Sequence, residues 1–329
     1  MRKRKFLHLT GGLGNQLFQL AAGLYFTQNN DLIVLSKNGK PRTNEMGRAE
    51  IFSYILPDQI NTANTDRYSS FISRVRGFII RISANPRIFE KNLISNFGIR
   101  FIASLLNIFY LRYPVRIMKV DGIGYIGSKT KANFLIGYYQ TFRYATEINV
   151  SKKLNSLRLA NPSKRVSDLI SQSKLECPLI VHIRRGDYAM ESGFGILGDR
   201  YYEEAIKELI STAQFKSIWV FSDEISKVVG MFDDRFDLPI RYIGDVDNSA
   251  SALLEVMRHG KGYIIGNSSF SWWAAFLRYD KQAKVIAPTP WFAEQSEPKD
   301  LIPPDWLRLP GHHFFISPLE LEREKGRPQ

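Results

Sequence analysis

Leu179-Ile180-Val181-His182-Ile183-Arg184-Arg185-Gly186-Asp187 is the stretch on which the fold turns. Five apolar or aromatic residues in a row, rich in β-branched side chains, predict a strand buried on both faces. The run then breaks into two arginines, a glycine and a carboxylate, which predicts a turn at a strand end. Working outward, the same alternation repeats. Tyr201 to Ile210 has the spacing of an amphipathic helix, and Ile218-Trp219-Val220-Phe221 of a strand. Ser222-Asp223-Glu224 predicts the opening of a helix. Ile240 to Ile243 predicts a strand, Ser249 to Arg258 a helix, Tyr263 to Ile265 a strand, Phe270 to Arg278 a helix, and Val285-Ile286 a last strand. Strands alternating with helices predict a doubly wound α/β domain with a parallel sheet, and ligands bind such sheets beyond the carboxyl ends of their strands.

Farther out, the amino-terminal end repeats the pattern. Phe6 to Leu9 predicts a strand, Gly11-Gly12-Leu13-Gly14 a turn, Asn15 to Gln28 a helix, and Leu32 to Leu35 a second strand. This is a βαβ unit, so a second parallel sheet is expected. Residues 60–150 are less regular, apart from a β-like stretch at Phe134 to Tyr139. The tail after Pro303 is proline-rich and then charged, and Glu322 to Gln329 is expected to be loosely ordered.

The chain has 329 residues, 44% of them hydrophobic, enough for about two domains. Cys177 is its single cysteine, so an intramolecular disulfide is excluded and a reducing compartment is expected. No secretory signal and no transmembrane run is expected. Lys and Arg total 45 against 32 Asp and Glu, a formal charge of +13, which favours a polyanionic partner. Arg74, Arg76, Arg81, Arg87, Lys91, Arg100, Arg112, Arg116 and Lys119 are interleaved with apolar residues. That stretch fits a solvated helical face, and also peripheral contact with an anionic membrane. No nucleic-acid-binding motif is present, so no nucleic-acid partner is expected.

Three polar stretches fall at strand ends. Arg184 and Arg185 on a rigid strand terminus can grip phosphate oxygens bidentately; read alone, the pair also fits a turn with solvated arginines. Asn267-Ser268-Ser269, after a buried strand and before Trp272 and Trp273, caps a helix whose first N–H groups attract anions; plain capping is the competing explanation. Gly12 and Gly14 let a ligand approach the backbone, with Asn15 and Gln16 offering amide hydrogen bonds, though an ordinary strand-to-helix turn has the same composition. Asp245-Val246-Asp247 is a D-x-D triplet, but positive charge is already supplied elsewhere and no metal is expected.

Together these stretches resemble the α-1,2-fucosyltransferase family, glycosyltransferase family 11. The resemblance is carried by GGLGNQLFQ at 11–19, VHIRRGDY at 181–188, FSDE at 221–224 and IIGNSSFSWWAAFL at 264–277. It implies a GT-B-like architecture of two facing Rossmann-like domains, GDP-fucose as donor, inversion at the anomeric carbon and no obligatory metal or other cofactor. Arg184 and Arg185 match the arginines of an H-x-R-R-x-D motif, one of which contacts the donor diphosphate. His182 would lie near the guanine, and Ser268 and Ser269 would hold the diphosphate. The loop from Gly11 to Gln16 would face donor and acceptor. Asp187 is the expected catalytic base, or else orients Arg184 by an ion pair, with His8 and Asp199 as secondary candidates. The helix Ala252 to Met257 lacks an aspartate found in relatives, so the guanine is expected to be read by Asp245, Asp247 or Glu255.

The expected division is an acceptor-side α/β domain at 1–155, a GDP-sugar-binding α/β domain at 156–310 and a charged tail at 311–329. The expected activity is transfer of L-fucose to a galactose hydroxyl of a glycan or lipid-linked oligosaccharide. Another nucleotide sugar, or a basic nucleic-acid-binding role, is the alternative. The expected location is cytoplasmic, peripheral on the membrane face.

Overall fold

The computed structural model describes residues 5–27, 32–35, 49–62, 117–120, 124–126, 134–186, 193–244, 246–294, 296 and 299–315. The basic run between residues 72 and 116 lies outside them. No helix among the described residues is long and apolar enough to cross a membrane. The chain divides into two compact units, residues 1–160 and 161–329.

The first unit has β1 (Lys5–His8), α1 (Leu13–Thr27), β2 (Leu32–Leu35), β3 (Tyr54–Ile55), β4 (Ile60–Thr62), β5 (Ile117–Val120), β6 (Phe134–Gly137), α2 (Phe142–Thr146), α3 (Ile148–Asn155) and β7 (Arg158–Leu159). Five of these strands form a parallel sheet in the order β4-β2-β1-β6-β5. The expected βαβ unit is therefore present. α1 is buried around nearly its whole circumference; Leu17, Phe18 and Ala21 are fully buried, as are the sheet residues Leu7 and Leu135. Its two buried glutamines satisfy their amides within the unit, as the low-dielectric interior requires.

The second unit has α4 (Lys164–Glu176), β8 (Leu179–Ile183), α5 (Asp199–Thr212), β9 (Ile218–Ser222), β10 (Ile240–Ile243), α6 (Ala250–Met257), β11 (Gly262–Ile264), α7 (Ser269–Phe276), β12 (Lys284–Thr289) and β13 (Leu307–Pro310). The six strands form one parallel sheet in the order β10-β9-β8-β11-β12-β13. Counted within the unit this is 3-2-1-4-5-6, the Rossmann order, and the order reverses between β8 and β11. Two Rossmann-like parallel units in one chain is the GT-B-like composition the sequence led us to expect.

The helices form where pattern and caps agree. α4 begins with Ser163 Oγ accepting from Val166 N at 3.1 Å, and α6 with Ser249 Oγ accepting from Ala252 N at 3.3 Å. α5 buries Tyr201, Tyr202, Ala205, Ile206 and Leu209 along one stripe against Val181, Ile183 and Val220. Each aliphatic side chain so buried contributes about 1.5–3 kcal/mol.

Two expectations need correction. Ser222 to Glu224 opens no α-helix: a short 3-10 turn at Ile225–Lys227 follows, then turns with Gly230 at φ 82 and Asp234 at φ 59. Val228 and Val229 disfavour a helix there, and the left-handed residues end it. β13 lies in the stretch taken as the beginning of the tail. Among the described residues it pairs only with β12, and as an edge strand it tolerates Pro310.

Candidate functional site

β8 and β11 are hydrogen-bonded neighbours, so their carboxyl ends flank the point where strand order reverses. A crevice opens beyond such a point because the chain leaves the two strands in opposite directions. The structure brings His182, Arg184, Asn267, Ser268 and Gly266 together there. A Cβ on Gly266 would lie 3.2 Å from the His182 carbonyl oxygen and 3.6 Å from the Arg184 nitrogen. The close approach of the two strand ends thus depends on a glycine.

His182 is 3% exposed, and its ring packs on Phe270 at 5.6 Å between centroids. Burial lowers its pKa to about 4; nearby Asp223 works to raise it and Arg184 to lower it further. The imidazole is therefore neutral at physiological pH, and Nδ1 is buried without a hydrogen-bond partner among the described residues.

Arg184 and Arg185 turn to different partners. Arg184 Nη1 pairs with Asp223 Oδ2 at 3.0 Å, at the end of β9. Arg185 reaches back instead: Nη1 donates to Leu197 O at 2.9 Å, and Nη2 pairs with Asp199 Oδ1 at 3.0 Å. Its guanidinium also lies 5.9 Å from the Phe314 ring centroid. Arg184 is thus the arginine held at the crevice, and Arg185 holds the segment leading into α5. Asp199 is the anionic half of that pair.

Ser268 caps α7, its Oγ accepting from Phe270 N at 3.3 Å, and Ser269 is the half-buried first residue of the helix. The first-turn N–H groups point out of the helix towards the crevice end, where the helix dipole favours negative charge. Trp272 and Trp273 are fully buried and anchor α7: Trp272 stacks on Phe276 at 4.8 Å, and its indole donates to Leu301 O at 3.0 Å. Asn267 is 1% exposed, and its Nδ2 donates to Gly195 O at 3.1 Å and Phe194 O at 3.3 Å.

Arg185 and Asn267 therefore hold the same loop, Phe194 to Leu197, from two sides. Sequence reasoning missed this loop, although its glycines were a signal. Gly195 has φ 69, and a Cβ on it would lie 2.6 Å from Ala293 Cβ.

In the first unit the glycine turn lies at the carboxyl end of β1, beside β6, where that sheet also reverses. Gly12 immediately precedes α1, Gly14 is its second residue, and Gly11 has φ 70. Gln16 is fully buried: Nε2 donates to Gly11 O at 2.9 Å and Oε1 accepts from Ile51 N at 3.1 Å. Its amide shapes the turn. Asn15 is half-buried, and its Oδ1 accepts from Gln140 Nε2 at 2.8 Å. Gln140 was not anticipated, and neither was Gln19, whose Nε2 donates to Thr10 Oγ1 at 2.7 Å and Gly137 O at 2.9 Å. His8 is 2% exposed and burial lowers its pKa to about 4, so it is shielded from solvent.

Asp187 and Asp245 lie outside the described residues. Glu255 does not reach the crevice. α6 runs down to the amino ends of the strands, and near its foot Glu255 accepts from Arg258 Nη1 at 2.8 Å and from the Tyr279 hydroxyl at 2.6 Å. Both carboxylate oxygens are held in that buried network, which excludes it as a base-reading group.

A neutral imidazole, an arginine fixed by a carboxylate and a capped helix N-terminus meet at the switch point of a Rossmann-ordered sheet, a combination suited to an anionic ligand. The sequence pattern of Glycosyl transferase family 11 matches residues 80–309, and the chain belongs to that family of glycosyltransferases. The chain is 28% identical over 320 residues to an Escherichia coli alpha-1,2-colitosyltransferase, covering 92% of this chain and 97% of that one. It is 26% identical over 316 residues to the O-antigen biosynthesis glycosyltransferase WbnK of Escherichia coli, covering 92% and 99%. Among solved structures it is similar to the fucosyltransferase NodZ from Bradyrhizobium, with a TM-score of 0.49, 12% identity, and coverage of 85% and 96%.

Proposed function

We propose that the chain is an inverting fucosyltransferase that moves L-fucose from GDP-fucose to a galactose hydroxyl, in α-1,2 linkage, on a glycan or lipid-linked oligosaccharide. The observation that carries this is Arg184, held by Asp223 at the crevice where α7 begins. Cleaving a sugar–phosphate bond leaves negative charge on the departing diphosphate. A fixed guanidinium and a helix N-terminus placed where that charge develops stabilise the transition state without reorganisation. We propose that no metal takes part, and that Asp187 removes the acceptor proton. The excess of basic residues, +13 overall, supports peripheral work at the cytoplasmic membrane face.

A second reading keeps the linkage and changes the sugar. The likeness to the colitosyltransferase over 92% of the chain favours GDP-linked colitose as donor. Radiolabelled GDP-fucose and GDP-colitose, offered with a panel of β-galactosides in buffer with and without EDTA, separate the two. EDTA-insensitive transfer of fucose is the expected result. Transfer of colitose alone selects the second reading. Neither transfer nor donor hydrolysis by folded protein rejects both.

A further inference from the structure

We propose that Asp223 is a positioning residue that acts through Arg184; this rests on the donor-binding role proposed for Arg184. Asp223 is the first residue after β9, which lies beside β8 with Ile183 opposite Ser222. That register places the carboxylate beside the chain leaving β8. Its two oxygens take three donors from three consecutive residues. Oδ1 accepts from Arg185 N at 2.9 Å, and Oδ2 accepts from Gly186 N at 3.0 Å and Arg184 Nη1 at 3.0 Å. The two backbone bonds fix the turn after β8, and the third fixes the guanidinium. An ion pair on one edge of a planar guanidinium sets the plane in which its other N–H groups lie.

Gly186 belongs to the same device. A Cβ there would stand 2.4 Å from Asp223 Oδ2, so the carboxylate can occupy this place only opposite a glycine. A carboxylate that merely capped a turn would need the two backbone donors and no more. The side chains of the ion pair are 14% and 22% exposed, so this charge-assisted bond is partly shielded from solvent. Both effects converge on one outcome, the aim of Arg184.

The test is a double-mutant cycle on the full chain, with GDP affinity read by calorimetry and kcat and KM read for donor. Asp223→Ala is expected to weaken GDP binding about tenfold or more and to lower kcat in the wild-type background. In the Arg184→Ala background the same change is expected to cost less than about threefold. Equal losses in both backgrounds mean a structural role independent of Arg184, and overturn the proposal. Should Asp223→Ala melt markedly lower, Asp223→Asn keeps the volume, turns an amide donor towards the N–H groups, and is expected to show the same coupling. GDP binding by wild type with no loss on Arg184→Ala removes the donor role and this proposal with it. A large Arg184→Ala loss with none on Asp223→Ala removes this proposal alone.

Discussion

Arg184 and Arg185 are adjacent in sequence, yet their side chains serve different ends of the site. Successive residues leaving a strand point to opposite sides. The pair was legible as a charged strand end, the basis of the proposed diphosphate grip. Which arginine faces the crevice was not, because that depends on what lies on either side: Asp223 for one, Leu197 and Asp199 for the other. Gly186 makes a sharp residue-scale prediction. Gly186→Ala adds a single methyl 2.4 Å from Asp223 Oδ2 and must displace the carboxylate. Transfer activity should fall at least tenfold while the melting temperature shifts by only a few degrees; an unchanged rate counts against a fixed clamp. His182 makes a second. Its folded pKa, about 4, is below the ordinary value of about 6.5, so the native state resists protonation. Between those values the unfolded chain binds the proton and the native chain does not, so stability is lost as pH falls from about 6.5 to about 4. The loss is on the order of 3 kcal/mol for this ring. Melting curves across that window should be flatter for His182→Leu than for wild type.

At the scale of elements, strands buried on both faces announced themselves as apolar runs, and β8 and β9 fall where that pattern predicts. The segment between β9 and β10 did not, because local helix signals at Ser222 to Glu224 were overridden by β-branched residues and left-handed turns. β13 was illegible for another reason: four residues, Leu307 to Pro310, carry too short an alternation to stand out from a proline-rich tail. The helix α6 shows how burial redirects a charged side chain. Glu255 looked available as a base-reading carboxylate, but it is 5% exposed beside Arg258 at 1%, whose guanidinium also lies 4.4 Å from the Tyr279 ring centroid. Removing one partner of a buried pair leaves the other charge unpaired. Glu255→Ala should therefore destabilise the fold by about 3–5 kcal/mol in urea denaturation. GDP affinity of the folded variant should stay within about twofold of wild type, since the network lies at the far ends of the strands.

Across the whole molecule, alternation marked parallel α/β structure at both ends of the chain, because parallel sheets require long crossovers that leave a periodic trace, while the two-domain plan came also from chain length and the family resemblance. The residues that hold the site in shape were harder to see. Gln16, Gln19, Asn267 and Arg185 carry ordinary polar side chains, and only the fold shows that their hydrogen bonds go to backbone carbonyls and neighbouring loops. The division of labour between ligand contact and scaffolding is decided by long-range packing.

Each sheet reverses its strand order beside its own first strand, between β1 and β6 in one unit and between β8 and β11 in the other. The consequence is kinetic. If the proposed transferase takes nucleotide sugar at the second unit's reversal point and acceptor at the first's, its released nucleotide contends with only one of the two substrates. GDP added to a steady-state assay should be outcompeted by raising the nucleotide sugar and should persist as an inhibitor however much acceptor is supplied. Relief by acceptor would mean that both substrates compete for one site, and would overturn that assignment.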